Sequence, residues 1–497
     1  MGPSTVTERY ALSRRSASGE WLAWSWPLLV ITLVAALVRF STLDLQSLWY
    51  DEAFTPVHTL HGSLAVTMRA VSHTENSPPL WYLLEWAITR VFGTGAVALR
   101  SLSALAGVLC VPVVGALGRE LAGERAALLA AALIAVNPLM VWYSQEARAY
   151  ELYVLFASLA LLCFIRLQAR QTAGRLAAFA LSGALALTSH YFAVFMLAPM
   201  CLWLLRRRER LAARAVAVAA ITAVGVALIP LVLSQAGHGT QWIGRWALSD
   251  RLQAIPQYYL TGYYGASLGH TIELLVALPI IAGVGYGLWR VLEPREERGV
   301  MILLGIAVCG MGLPILLVPF GVDYLAPRNL IAAMVPLTVL IAVVTVSRRA
   351  GRTGVALGLL AAAAFTTITI DTELSPRLQR GNWRSLARAL APATPSQAIT
   401  TVELGSAPLE YYLTGVRRLP AGSTVTVTRI DEVGYAPLRA TPERPPTPGF
   451  RLTGRLDING LIVYRFTSTV PRMVRESVLR SHAITLAHPE VLTATSG

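Results

Sequence analysis

The chain contains no lysine; its 42 basic residues are all arginine. Charged residues of any kind are scarce, at 14% of 497 residues, while 55% are hydrophobic and the mean hydropathy is +0.54. So little charge on so long a chain excludes a soluble globular protein. Cysteine is also rare, with Cys110, Cys163, Cys201 and Cys309 all inside apolar stretches. That excludes a disulfide framework and leaves four small core residues. Acids are few as well, and the net charge is +14. A nucleic-acid partner does not follow, because the arginines are not gathered on one face. They cluster at Arg14-Arg15, Arg119 with Arg125, Arg166 to Arg175, Arg206 to Arg210, Arg290 to Arg298 and Arg348 to Arg352, at alternate ends of apolar stretches. This is the pattern of cytoplasmic loops in a membrane protein.

Apolar stretches long enough for ~30 Å of hydrocarbon recur through the first three quarters of the chain. Backbone in lipid must satisfy its own hydrogen bonds, so these spans are helices. Placing every arginine cluster inside yields about eleven: Leu22–Phe40, Leu99–Leu117, Ala126–Tyr143, Leu152–Leu167, Leu176–Thr188, Phe192–Leu205, Ala212–Leu233, Ile272–Trp289, Val300–Pro319, Leu330–Val346 and Val355–Ile370. The N-terminus is then cytoplasmic and the C-terminus outside. The first run lacks a small-residue cleavage site and reads as an anchor. Residues 1–370 are expected to form a polytopic α-helical domain of the cytoplasmic (inner) membrane. After Asp371, Pro, Thr, Arg and Gly rise, and residues 371–497 are expected to form a small extracytoplasmic α/β domain, large enough for its own core. Helices are expected at Trp383–Leu390 and Leu409–Leu413, strands at Ala398–Val402 and Leu461–Phe466, and a loose end from Ala483 to Gly497.

Two outer loops carry the interest. In the first, residues 41–98, Pro78-Pro79 starts a helix, and Leu80, Leu83, Leu84, Ala87, Ile88 and Val91 repeat at helical spacing. With Trp81, Tyr82 and Trp86 it reads as a helix lying in the membrane interface, or equally as an amphipathic helix covering a loop. The second, Ser234 to Thr271, carries Tyr258, Tyr259, Tyr263 and Tyr264 and is expected to cover a membrane-facing groove.

Within the first loop, Leu48-Trp49-Tyr50-Asp51-Glu52-Ala53-Phe54 sets two adjacent carboxylates among aromatics, just past the first span. A pair of solvated acids at a helix end would look the same. The alternative is a base acting on a lipid-linked substrate, and neighbours on a helix point in different directions, so at most one of the two aims at it. Three segments are similar to the C-type membrane glycosyltransferases, above all bacterial members related to protein O-mannosyltransferases and the lipid A aminoarabinose transferase. They are Ser47 to Ala53, Asn76-Ser-Pro78-Pro79-Leu-Trp-Tyr82, and Trp142-Tyr143-Ser-Gln145-Glu146-Ala-Arg148-Ala-Tyr150. Arg100-Ser-Leu-Ser-Ala-Leu, Ser189-His190-Tyr191-Phe192 and Pro327-Arg328-Asn-Leu with Pro336 match later landmarks. The chain departs from that pattern at Asn329, where the family usually has Tyr, and at Ser77, where it often has His.

The resemblance implies transfer of a sugar, mannose first, from a polyprenyl-phosphate donor to a hydroxyl of a glycan, glycolipid or protein acceptor, with inversion. Arabinofuranose from a decaprenyl-phosphate donor is the second choice. By carry-over Asp51 is the catalytic base with Glu52 beside it. Arg328 and Arg148 lie at outer ends of spans, against the charge trend, and are expected to bind the donor phosphate, or else to pair with Asp323 or Glu146 or reach lipid headgroups. Glu75, His73, Tyr82, Glu146, His190, Tyr191 and Asp323 are the further substrate-site candidates. No cofactor is required; Asp51, Glu52 and Glu75 offer hard oxygen ligands to a divalent ion, but no spacing signature demands one and loop solvation is the better reading. A transporter would carry ionisable residues in mid-span and internal symmetry, which the sequence lacks; a flippase of polyprenyl-linked glycans stays open.

Overall fold

The computed structural model describes residues 25–206, 210–264, 268–485 and 488–494, the side chain at 295 excepted. The Arg14-Arg15 cluster and Arg207-Arg208 lie outside the described residues. The chain divides into two compact units. The first comprises Met1–Leu43, Val71–Ile88 and Ala98–Leu374; the second comprises Asp44–Ala70, Thr89–Val97 and Ser375–Gly497.

The first unit is helical, and its composition and helices are those of a multi-pass membrane protein. Among the described residues seven helices are long and apolar enough to cross a membrane: Ala96–Ala122, Tyr150–Ala169, Leu211–Gln235, His270–Arg290, Glu296–Phe320, Pro327–Val346 and Arg348–Leu374. A bent pair, Glu124–Val136 with Pro138–Ser144, makes an eighth, and Ser25–Phe40, Ala173–Ser189 and Ala193–Arg206 are shorter apolar helices. Every span expected from the sequence has a helix at its position. All four cysteines are free thiols.

The bent pair turns by 58°, and its cause is local. Pro138 has no N–H to give and its ring clashes with the preceding turn. Asn137 caps the new helix, its Oδ1 accepting from the N–H groups of Leu139 and Met140 at 3.1 Å. The carbonyls released by the break are met by Arg39, which is 1% exposed. Its guanidinium donates to Ala135 O at 2.7 Å, Ile134 O at 3.2 Å and Ser144 Oγ at 2.9 Å. A cation at a helix C-terminus also suits the helix dipole. The bend delivers the chain to the tight turn that carries Glu146 and Arg148.

The second unit is a mixed six-stranded sheet, with β1 Gln397–Thr401, β2 Val416–Arg418, β3 Thr424–Gly434, β4 Arg451–Ile458, β5 Leu461–Arg475 and β6 Glu490–Ala494, in the order β2-β6-β1-β3-β5-β4. Only β1 and β3 run parallel. Alternation splits the side chains between two faces. Ile399, Val433, Val463 and Leu492 pack against helix Trp383–Leu390 and Leu409; Ala398, Ile430, Tyr464 and Val491 pack against Leu479. The expected strands and helices of this domain are present, with boundaries shifted by a few residues and β5 much extended. The expected loose end is corrected over residues 490–494, which form β6, held between β1 and β2 because Val491 and Leu492 are each buried on opposite faces; residues 486–487 and 495–497 lie outside the described residues. The first loop, expected with the membrane domain, also divides: Asp44–Ala70 and Thr89–Val97 belong to the sheet unit. Trp49 is the reason, since its ring joins the core made by Trp383, Leu386 and Leu413.

Candidate functional site

The helical unit contains a cavity of about 240 Å³ whose lining includes Asn76, Arg148, Tyr150, His190, Tyr191 and Arg328. Sequence-distant motifs thus meet in one place. Arg148 sits on the turn just before helix Tyr150–Ala169, and Arg328 is the second residue of the 3-10 turn Pro327–Ala333 that runs into helix Met334–Val346. Neither N-cap, Ala149 or Ala326, gives a side-chain cap to the N–H groups behind it. Such helix starts carry partial positive charge.

Each arginine is held differently. Arg328 is a planar plate beside two aromatic rings, 5.0 Å from the centroid of Trp242 and 5.9 Å from that of Tyr150, a cation–π arrangement. Arg148 donates from Nη1 to Glu75 Oε2 at 3.1 Å, and the same oxygen accepts from the Tyr82 hydroxyl at 2.7 Å. The Glu75 and Arg148 side chains are 3% and 12% exposed. Burial, with the Glu75 carboxylate beside it, pushes the Tyr82 phenol well above its usual range, so it stays a donor.

His190 ends helix Ala173–Ser189 and stacks on Tyr153 at 5.0 Å. Burial, reinforced by Arg328 and Arg148, pushes its pKa down to about 3. The ring is therefore neutral, and its Nδ1 accepts from the Phe192 N–H at 3.2 Å. The proton must then sit on Nε2, which makes that nitrogen a donor. Beside it the Tyr191 hydroxyl donates to Gln235 Oε1 at 2.7 Å, while Gln235 Nε2 donates to Val71 O and Ser77 O at 2.9 and 3.0 Å. Gln235 thus ties the loop before Pro78 to the end of helix Leu211–Gln235. The lining also includes the apolar side chains Phe195, Val232, Pro314 and Leu317.

Other sequence candidates lie elsewhere. Glu146 is fully buried in the turn, and it is Glu75 that takes Arg148. His73 is exposed near the end of helix Leu64–Thr74. Asp323 grips Arg251 with both oxygens, at 2.6 and 2.9 Å, and that hydrogen-bonded pairing holds its carboxyl below the usual range. Asn329, in the place of the expected Tyr, donates to Tyr324 O at 2.9 Å and lines the cavity, as does Ser77. Among the described residues no group of three or more His, Cys, Asp or Glu is placed to hold a metal ion; of the carboxylates considered for a cation, Glu75 belongs to the first unit and Asp51 and Glu52 to the second.

Asp51 and Glu52 belong to the second unit, in the five-residue helix Tyr50–Phe54. Glu52 is wholly buried and Asp51 half-buried. Sequence reading overlooked Gln235, Trp242 and Arg251. A lone amide ending an apolar span was a legible sign for Gln235; nothing local marks the other two.

A family model described as dolichyl-phosphate-mannose-protein mannosyltransferase matches residues 76–233. No curated protein matches the sequence. Among solved structures, ArnT from Cupriavidus metallidurans bound to undecaprenyl phosphate is 15% identical, with a TM-score of 0.53, covering 89% of this chain and 98% of that one. Its apo state is 14% identical, TM-score 0.54, over 90% and 98%. An oligosaccharyltransferase from Archaeoglobus fulgidus is 16% identical, TM-score 0.47, over 80% and 60%.

Proposed function

We propose that this chain, whose fold is that of the C-type membrane glycosyltransferases, moves a sugar from a polyprenyl-phosphate carrier to an acceptor hydroxyl outside the cytoplasmic membrane. The reading rests on one observation: Arg148, Arg328 and two helix starts without side-chain caps meet at a cavity whose lining also includes the apolar side chains Phe195, Val232, Pro314 and Leu317. A lipid phosphate has those two needs, an anion site and an apolar path for its chain. The family match to a dolichyl-phosphate-mannose transferase and the likeness to an ArnT bound to undecaprenyl phosphate support the same ligand class.

In this reaction the acceptor oxygen bonds to the anomeric carbon as the bond from that carbon to the phosphate oxygen breaks. Negative charge accumulates on the departing phosphate, where two guanidinium groups and the helix dipoles stabilise it. The sugar passes through an oxocarbenium-like state. The acceptor proton goes to Asp51, the more accessible of the two adjacent acids. A single displacement with one base inverts the anomeric centre. Glu75 and Tyr82 fix Arg148, and the Nε2–H of His190 is available to a phosphate or sugar oxygen. Mannose is the favoured sugar, in keeping with the description of the matching family model, and the reaction as written requires no cofactor. The acceptor is a glycan, glycolipid or protein, the N-terminus is cytoplasmic and the sheet domain lies outside.

The experiment is sugar transfer by purified wild type and Asp51→Asn, supplied separately with polyprenyl-phosphate mannose and decaprenyl-phosphate arabinofuranose, with envelope lipids as acceptors. Transfer from one donor, abolished in a variant that still folds, is expected and names the sugar. Movement of lipid-linked glycan between leaflets without any transfer would replace the reading with a flippase.

A further inference from the structure

The segment that carries Asp51 is too short to hold itself. Helix Tyr50–Phe54 has five residues, its N-cap Trp49 offers no side-chain cap, and it passes into a single π turn, Thr55–Thr59. Helices of this length have no stability of their own in water. The direction of the Asp51 carboxylate is therefore set by whatever fixes the backbone on either side.

Both sides are fixed by the sheet domain. Ahead of Asp51, the Ser47 hydroxyl donates to Gly381 O at 3.0 Å and accepts from the Trp383 N–H at 3.0 Å, and the Arg380 N–H donates to Gln46 Oε1 at 3.1 Å. The Leu48 N–H donates to the Tyr412 hydroxyl at 2.7 Å. Past Asp51, His58 Nε2 lies 3.8 Å from Glu410 Oε2. Between these, the Tyr411 hydroxyl donates to Thr94 O at 2.6 Å, on the returning limb of the same loop. Three successive residues at the end of helix Ser406–Tyr412 thus reach three separate points of the first loop: His58, Thr94 and Leu48. These polar contacts bracket one carboxylate and add direction to the apolar seat of Trp49 in the same core.

We infer that Glu410-Tyr411-Tyr412 is a clamp that positions Asp51, with Tyr412 its principal positioning residue. The inference rests on the reading of Asp51 as the base. The Tyr412 hydroxyl receives the N–H three residues before Asp51, so its removal frees the entry to the helix without touching a reacting atom. Misplacement of a catalytic group by ~1 Å is enough to lower a rate by about 100-fold.

The test uses the full-length purified protein and measures kcat, donor KM and thermal unfolding. Tyr412→Phe is expected to lower kcat by about 10- to 100-fold with donor KM and unfolding midpoint nearly unchanged. In Asp51→Glu, whose longer side chain already displaces the carboxylate, the same change is expected to lower kcat by less than about twofold, because both act on one step. An equal factor in both backgrounds, or an unchanged kcat, overturns the clamp while leaving Asp51 as the base. Full activity in Asp51→Asn overturns the base and the clamp with it. Should Tyr412→Phe fold poorly, Ser47→Ala removes the bonds to Gly381 and Trp383 and is read by the same cycle.

Discussion

One carboxylate oxygen of Glu75 serves two donors, the guanidinium of Arg148 at 3.1 Å and the hydroxyl of Tyr82 at 2.7 Å. It joins the loop before Pro78 to the turn after the bent helix. A neutral amide could satisfy the hydroxyl but would give up the charge that holds Arg148. Glu75→Gln is expected to lower stability by about 1.5–3 kcal/mol, in the range for a hydrogen bond to a charged group, and to raise donor KM about tenfold. Thermal unfolding and donor titration check it; a variant unchanged in both would remove Glu75 from the support of Arg148.

Arg328 should resist even its mildest replacement. A lysine ammonium cannot lie as a plate beside Trp242 and Tyr150 or offer a two-pronged contact to phosphate. Arg328→Lys is expected to raise donor KM about 10- to 100-fold, the equivalent of a charge-assisted hydrogen bond, and Trp242→Ala only a few-fold. Donor-saturation kinetics on both variants test the order; a larger loss from Trp242→Ala would place the binding energy in the ring.

The imidazole of His190 gives a pH dependence with a definite sign. Its folded pKa is pushed down to about 3, below the ordinary value of 6.5. Between those values the unfolded chain binds a proton that the folded chain refuses, so stability rises with pH through this window. It is lost as pH falls from about 6.5 toward 3 and is unaffected above. His190→Gln, which keeps an N–H donor, is expected to flatten that acid-side slope in unfolding measured across pH; an unchanged slope would mean the ring is charged in the folded protein.

The pair Arg251–Asp323 is unequal, with side chains 4% and 25% exposed. Removing the partner of the more buried charge is the worse change. Asp323→Asn is expected to destabilise by about 3 kcal/mol, and Arg251→Met, which leaves a carboxylate that water reaches, by roughly 1 kcal/mol. Because Arg251 holds the Asp323 carboxyl below its ordinary 3.8, this stabilisation is present above that value and fades as pH drops through the lowered one. Equal midpoints for the two variants at neutral pH would contradict the asymmetry.

Much of this was legible in the sequence because apolar length and arginine placement are properties of single segments. Among the described residues each expected span has a helix at its position, and the motifs around Arg148, His190 and Arg328 pointed to side chains that do line one cavity. Pairing was less legible, since it depends on which segments meet. Glu75 accepts from Arg148 across 73 residues of chain, and Asp323, near Arg328 in sequence, closes on Arg251. The end of the chain from Ala483 reads as loose in the sequence, yet Val491 and Leu492 complete both faces of a sheet. Composition describes a segment's solvent preference; it does not say that a strand will be inserted between two others.

The bonds of Ser47 to Gly381 and Trp383 span 334 and 336 residues of chain, which sets an order of events during synthesis. At about 5–20 residues per second, the ribosome takes on the order of tens of seconds to supply those partners after the first loop has emerged. The helices of the bundle can form and insert in that interval, whereas the stretch around Asp51 waits for its anchor. The sheet unit is therefore completed late, and a growing molecule halted before Gly381 would lack the partners that fix the stretch around Asp51.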